Sequence, residues 1–267
     1  MPERGDFSLQ SEISVTLRKI RERTPARILV GRAGAAYRTS TQMELREAHA
    51  EARDAVRSEL DLESVFGRDF VNHWGLFEVC TEAGTKDEYL LFPDRGRRLS
   101  EESRETLLKR CAQASDIQFA IGDGLSVSAV SAQVPSLFPL LHEGASARGW
   151  RIGITFVIRH CRVGVLNEIG ELLHPKVAVL LIGERPGLAT ADSLSAYMAF
   201  EPRSSHTDAN RNLISNIHAR ALDPKTAAER ILNLATQMVS LRMSGFNVRE
   251  KLPSVQTGRP SLPHASE

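Results

Sequence analysis

Val177-Ala178-Val179-Leu180-Leu181-Ile182-Gly183-Glu184-Arg185-Pro186-Gly187-Leu188 is the stretch from which the rest of the chain is read. Six apolar residues, rich in branched side chains, read as a strand buried on both faces. The run stops at Gly183, and a carboxylate, a guanidinium and a Pro-Gly turn follow at once. Ligands of an open parallel sheet bind just beyond the carboxyl ends of its strands, so Glu184 stands where such a sheet presents its ligand groups. A surface ion pair between Glu184 and Arg185 would carry little energy. Pro186-Gly187 fixes the backbone right after them, and rigid loops at strand ends often carry function, which favours a functional reading.

Outward from this strand, strand and helix patterns alternate. Gly75 to Cys80, Glu88 to Phe92, Ile117 to Ile121 and Ile152 to Ile158 read as further strands. Ser100 is placed to cap a helix, with Glu101 and Glu102 favouring its positive end. Ser126 to Ala147 reads as a helix broken by Pro135 and Pro139. Asp223-Pro224 opens a strong helix that Gly245 stops. Alternation of this kind predicts an α/β sheet of parallel strands. Before it, residues 9 to 23 read as helix, with Ile13, Leu17 and Ile20 on one face, and Thr24-Pro25 ends it. A second helix spans about Ser40 to Leu60, with Met43, Ala48, Ala52, Ala55 and Val56 as its buried side. The expected organisation is a helical region over 1–70, an α/β domain over 71–245 and a disordered tail over 246–267, where Pro253, Pro260 and Pro263 stand among polar residues.

Composition narrows the function. A chain of 267 residues can bury roughly three quarters of its unfolded surface without disulfides. Lys and Arg total 34 against 33 for Asp and Glu, so no general nucleic-acid or membrane-surface binder is indicated. Cys80, Cys111 and Cys161 lack metal-ligand spacing and suit a reducing cytosol. No apolar run approaches a membrane span, no His pattern marks a metal site, and no nucleophile motif is present. His49 reads as a surface or packing residue, and Arg95-Gly96-Arg97-Arg98 as a solvated turn.

Three further segments have two readings each. Gly122-Asp123-Gly124-Leu125-Ser126 ends a strand and opens a helix, where backbone N–H groups suit a polar ligand. A tight turn capped by Asp123 or Ser126 is the plainer alternative. Arg162-Val163 with Asn167-Glu168-Ile169-Gly170-Glu171 is either a second ligand loop or a loop leading into a short helix. Arg211, Ser215, Asn216 and His218 would bond a ligand rich in amides, or satisfy the backbone of an irregular loop.

Taken in order, these motifs resemble the light (small) subunit family of ethanolamine ammonia-lyase. The matching pieces include Thr24-Pro25-Ala26-Arg27-Ile28, Val30-Gly31-Arg32-Ala33-Gly34, Pro93-Asp94-Arg95-Gly96-Arg97-Arg98-Leu99 and Asp123-Gly124-Leu125-Ser126. They continue with Arg162-Val163, Glu168-Ile169-Gly170-Glu171, Ile182 to Leu188, Ser193-Leu194 and Ile214-Ser215-Asn216-Ile217, over roughly residues 24 to 245. The resemblance implies a Rossmann-like α/β domain preceded by a small helical domain. It implies a hetero-oligomer with a catalytic heavy (large) subunit, converting ethanolamine to acetaldehyde and ammonia through a radical generated from adenosylcobalamin. The substrate site is then in the heavy chain, and the light chain contributes no catalytic residue. The setting is cytoplasmic, for some relatives inside a bacterial microcompartment. Cobalamin contacts carry over to Val163, Glu184 and Leu213, the last where the family typically has Cys. Absence of Asp-x-His-x-x-Gly implies that the cofactor binds base-on. The rival readings are a nucleotide-binding module, which the strand-end Gly-Asp-Gly alone favours, and a structural partner that touches no ligand.

Overall fold

The computed structural model describes residues 15–20, 22, 32–186 and 192–250. Residues 15–20 and 22 are helical; Ile13, Thr24-Pro25 and the rest of the first expected helix lie outside the described residues. A short antiparallel pair, β1 (Arg32–Ala33) and β2 (Ala36–Tyr37), leads into α1 (Thr39–Arg57). Short helices α2 (Leu62–Phe66) and α3 (Arg68–Trp74) follow.

Six strands then form one sheet: β3 (Phe77–Cys80), β4 (Ile117–Gly122), β5 (Phe156–Arg159), β6 (Val177–Gly183), β7 (Leu194–Phe200) and β8 (Asn212–Ile217). Their spatial order is β3-β5-β4-β6-β7-β8. The first four in that order run parallel, and β7 and β8 add antiparallel at one edge. The fold is thus α/β as expected, with a mostly parallel sheet. Connections are α4 (Lys86–Leu91) and α5 (Glu101–Arg110) between β3 and β4, α6 (Val127–Ala147) between β4 and β5, and α7 (Val165–Leu173) between β5 and β6. Helix α8 (Pro224–Leu241) closes the described fold.

The winding positions the site. From β4 the chain passes through α6 to β5 on one side, then through α7 across to β6 on the other. Right-handed crossovers in opposite directions put their helices on opposite faces. Accordingly Ile117, Phe119 and Ile121 of β4 pack with Val130, Phe138 and Leu141 of α6 and Ile231 and Leu232 of α8. Ala120 of β4 faces the other way, with Leu107 of α5 and Val165, Leu166 and Ile169 of α7. Leu60 and Phe66 join the first of these cores, so the chain on either side of Asp61 is already packed against the sheet. A reversal of this kind opens a crevice at the carboxyl ends of the strands.

Several expectations are corrected. Glu88 to Phe92 is not a strand but the second half of α4 and its end. Thr85 caps that helix by accepting from the Glu88 N–H (3.2 Å), with Asp87 and Glu88 in its first turn. Four consecutive bulky residues, Tyr89 to Phe92, imitate a buried strand, yet only Tyr89 is buried; Leu91 and Phe92 are exposed. Helix α6 runs unbroken through Pro135 and Pro139. Each proline removes one helical hydrogen bond, but burial of Val130, Val134, Leu137, Phe138 and Leu141 holds the helix against the sheet. Ile152 makes an isolated bridge with Ile117, and the strand proper starts at Phe156. On α1 only Ala48 is buried and Met43 is exposed. Helix α8 stops before Gly245, at Arg242, which takes the left-handed conformation (φ 54°). Within residues 246–250, Val248 is buried and Arg230 pairs with Glu250 (2.6 Å), while Phe246 is exposed. The rest of the expected tail lies outside the described residues.

Candidate functional site

At the carboxyl end of β4, the chain turns at Gly122-Asp123-Gly124 and enters α6. Ser126 is the cap, accepting from the Ala129 N–H (3.1 Å). Asp123 has a different task. Its carboxylate is fully buried and accepts from the backbone N–H of His160 (2.9 Å), the N–H of Cys161 (2.7 Å) and Lys86 Nζ (3.1 Å). The β4 turn therefore anchors the loop after β5.

That loop is held at every peptide from His160 to Arg162. Thr81 Oγ1 donates to the His160 carbonyl (2.9 Å), and the Tyr89 hydroxyl donates to the Cys161 carbonyl (3.1 Å). The Arg162 N–H donates to the Gly96 carbonyl (2.7 Å). Gly96 is needed for this approach: a Cβ there would lie 2.9 Å from the His160 carbonyl oxygen and 2.7 Å from Arg162 Cγ. His160 itself adopts φ 55°, a strained conformation for a residue other than glycine. Burial, with the neighbouring Asp123 charge, pushes the Tyr89 hydroxyl far above its usual range, so it acts as a neutral donor. Burial also pushes the Cys161 thiol up, which makes it inert as a nucleophile. The Arg95–Arg97 segment is a 3-10 turn with exposed arginines, as its composition predicts, and with Gly96 buried against the β5 loop.

Glu184 follows β6 and is half-buried. Its carboxylate accepts from Ser193 Oγ (2.8 Å), Ser195 Oγ (2.6 Å) and the Asn216 N–H (3.0 Å). Asn216 sits in the left-handed region (φ 58°), which Asn tolerates better than most residues. One glutamate thus ties the end of β6 to the start of β7 and the end of β8. An ionised carboxylate offers about four lone-pair sites, so roughly one stays available to a ligand.

Val163, Glu184 and Leu213 all line one cleft of about 360 Å³, together with Tyr89, Gly124, Arg162, Ser195, Tyr197 and Ser215 among others. Val163 is half-buried, and Leu213 is 48% exposed on the cleft wall. The three expected contact residues, from three separate segments, are brought together. Ser215 joins them and Asn216 reaches the site through its N–H bond to Glu184, whereas Arg211 lies in an adjoining charged cleft and His218 is buried. These four residues belong to β8 and its ends, not to an irregular loop. The second ligand-loop segment divides similarly. Arg162 and Val163 line the cleft, while Glu168 is drawn aside by Arg104 (Nε to Oε1, 2.6 Å) and Asn167 Oδ1 by Arg211 (2.9 Å). Lys86 and Tyr89 are supports that pattern reading misses, as it misses the anchoring role of Asp123. Lys86 and Asp123 lie 37 residues apart, and no local spacing announces the pair.

No group of His, Cys, Asp and Glu among the described residues is placed to hold a metal ion. The sequence profile of one family, ethanolamine ammonia-lyase light chain (EutC), matches residues 15–249. The chain belongs to the ethanolamine ammonia-lyase light chain family. It is 36% identical to the ethanolamine ammonia-lyase small subunit of Clostridium acetobutylicum over 233 residues, covering 87% of this chain and 94% of that one. Small subunits from Clostridium perfringens (36% identical) and Fusobacterium nucleatum (37%) match over 231 residues, 86% of this light chain and 76% of theirs.

Proposed function

We propose that this light chain grips adenosylcobalamin between its strand-end loops and the heavy chain of ethanolamine ammonia-lyase. As a member of the family it is a subunit of a carbon–nitrogen lyase, whose reaction releases acetaldehyde and ammonia from ethanolamine. When bound, adenosylcobalamin supplies the radical by homolysis of its cobalt–carbon bond, and the protein supplies placement and shielding. The observation that carries this reading is the convergence of Val163, Glu184 and Leu213 on one open cleft at the carboxyl ends of the sheet.

The residues fit such a group. A cleft of about 360 Å³ is too small to enclose a corrinoid, so it takes one side and leaves the other to a partner. Val163 and Leu213 offer apolar contact to a ring edge. The remaining lone pair of Glu184 suits a cobalamin side-chain amide, a charge-assisted bond contributing about 1.5–3 kcal/mol. The sequence has no Asp-x-His-x-x-Gly, and we assign base-on binding on that ground. No described helix is long and apolar enough to cross a membrane.

The test is cobalamin titration of the assembled heavy–light complex. Glu184→Ala weakens binding by at least about tenfold. Unchanged affinity contradicts the role of Glu184 and favours a partner that stabilises the heavy chain without touching cofactor.

A further inference from the structure

The small cleft opens into a second one of about 1010 Å³, and Arg162, Val163 and Tyr197 line both. Five guanidinium groups line the larger cleft: Arg97, Arg98, Arg104, Arg162 and Arg211. Three of them are already matched by carboxylates. Arg97 pairs with Asp94 (3.0 Å), Arg104 with Glu168 and Arg211 with Asp208. Arg98 and Arg162 have no carboxylate partner among the described residues, and of these two only Arg162 lines both clefts.

Arg162 is also the better prepared of the two. Its guanidinium lies over the Tyr89 ring, 4.3 Å from the centroid, and Nη2 donates to the Tyr89 carbonyl (3.2 Å). Its Nε is shut off from solvent and has no hydrogen-bond partner among the described residues. Its backbone is fixed by Gly96, and its Cγ occupies the space a side chain at Gly96 would fill. A fixed cation with unused donors and no internal counter-charge is suited to an anionic ligand group. Guanidinium forks match phosphate oxygens in particular.

Resting on the corrinoid reading above, we propose that Arg162 receives the phosphodiester of the cofactor's nucleotide tail. The side chains of cobalamin are otherwise neutral amides, so the phosphodiester is the group that demands a cation. This sets the orientation of the cofactor on the light chain: corrin edge on Val163, Leu213 and Glu184, nucleotide tail toward the arginine-lined cleft.

Three probes test it on the heavy–light complex, read by equilibrium dialysis: hydroxocobalamin, cobinamide phosphate, which lacks the ribose and base, and cobinamide, which also lacks the phosphate. Arg162→Gln weakens hydroxocobalamin and cobinamide phosphate by about 10- to 100-fold, and Arg162→Lys by less, while cobinamide stays within about twofold of wild type. Retained cobinamide binding also shows that the variants are folded. Equal losses on all three probes, no loss on hydroxocobalamin, or a loss spared on cobinamide phosphate each overturn the assignment of Arg162. A wild-type complex that binds none of the three overturns instead the corrinoid reading on which it rests.

Discussion

Asp123 carries the geometry of the cleft. It accepts from two successive N–H groups of the β5 loop, and Lys86 neutralises it in a site with 0% and 8% side-chain exposure for the two partners. Removing one member of a buried pair leaves an uncompensated charge, which costs about 3–5 kcal/mol. Lys86→Met is expected to lower stability by that amount in urea unfolding, and adding Asp123→Asn to recover part of it. A Lys86→Met protein as stable as wild type would show that the pair does not anchor the loop. Glu184 works alike on the other side of the cleft. Its three internal donors mean that it shapes the cleft that it lines, a role that the motif alone does not disclose.

Asp116, just before β4, joins three elements at the end of the sheet opposite the cleft. It accepts from Lys176 Nζ (2.7 Å) just before β6, and from the Arg151 N–H (2.8 Å) on the approach to β5. Those bonds hold its carboxyl below the ordinary aspartate value of 3.8, with Lys176 the larger cause. A carboxyl depressed in the fold stabilises fully above its unfolded value, and the contribution is lost as pH falls through the folded value. The urea midpoint of wild type is therefore expected to exceed that of Asp116→Asn at pH 6, and the gap to close as pH drops below about 3.8. A gap independent of pH would contradict this. At the same scale the limits of pattern reading have physical causes. Residues 117–122 and 177–183 are legible because both faces of each strand are buried, so hydrophobicity is continuous. Strand β7 hides because Ser195, Ala196 and Ala199 are weak strand formers, and pairing with β6 decides their state. Strand β8 hides because its polar residues are used outside the core: Asn212 bonds the backbone of Gly245 and Val248, Ser215 lines the cleft and Asn216 bonds Glu184. Helix α4 is mistaken for a strand because its cap, Thr85, lies before the apolar run and because three of the four bulky residues in that run are not buried.

For the whole molecule, opposite winding from β4 gathers three loops at one end of the sheet and leaves the cleft open on its outer side. The candidate contacts were legible through family motifs, since Val163, Glu184 and Leu213 lie in separate segments that spacing alone cannot join. Tyr89 joined the site only through tertiary contacts, and so did the packing role of Gly96 against the β5 loop. An open, one-sided cleft at the strand ends is the basis of the proposal that this chain covers a cofactor whose other face belongs to the heavy chain. A structure of the heavy–light complex with bound hydroxocobalamin measures this directly. The account predicts Glu184, Val163 and Leu213 within contact distance of the corrinoid, at the boundary between the two chains. A corrinoid held wholly by the heavy chain, with the β4–β6 loop ends facing elsewhere, would contradict it.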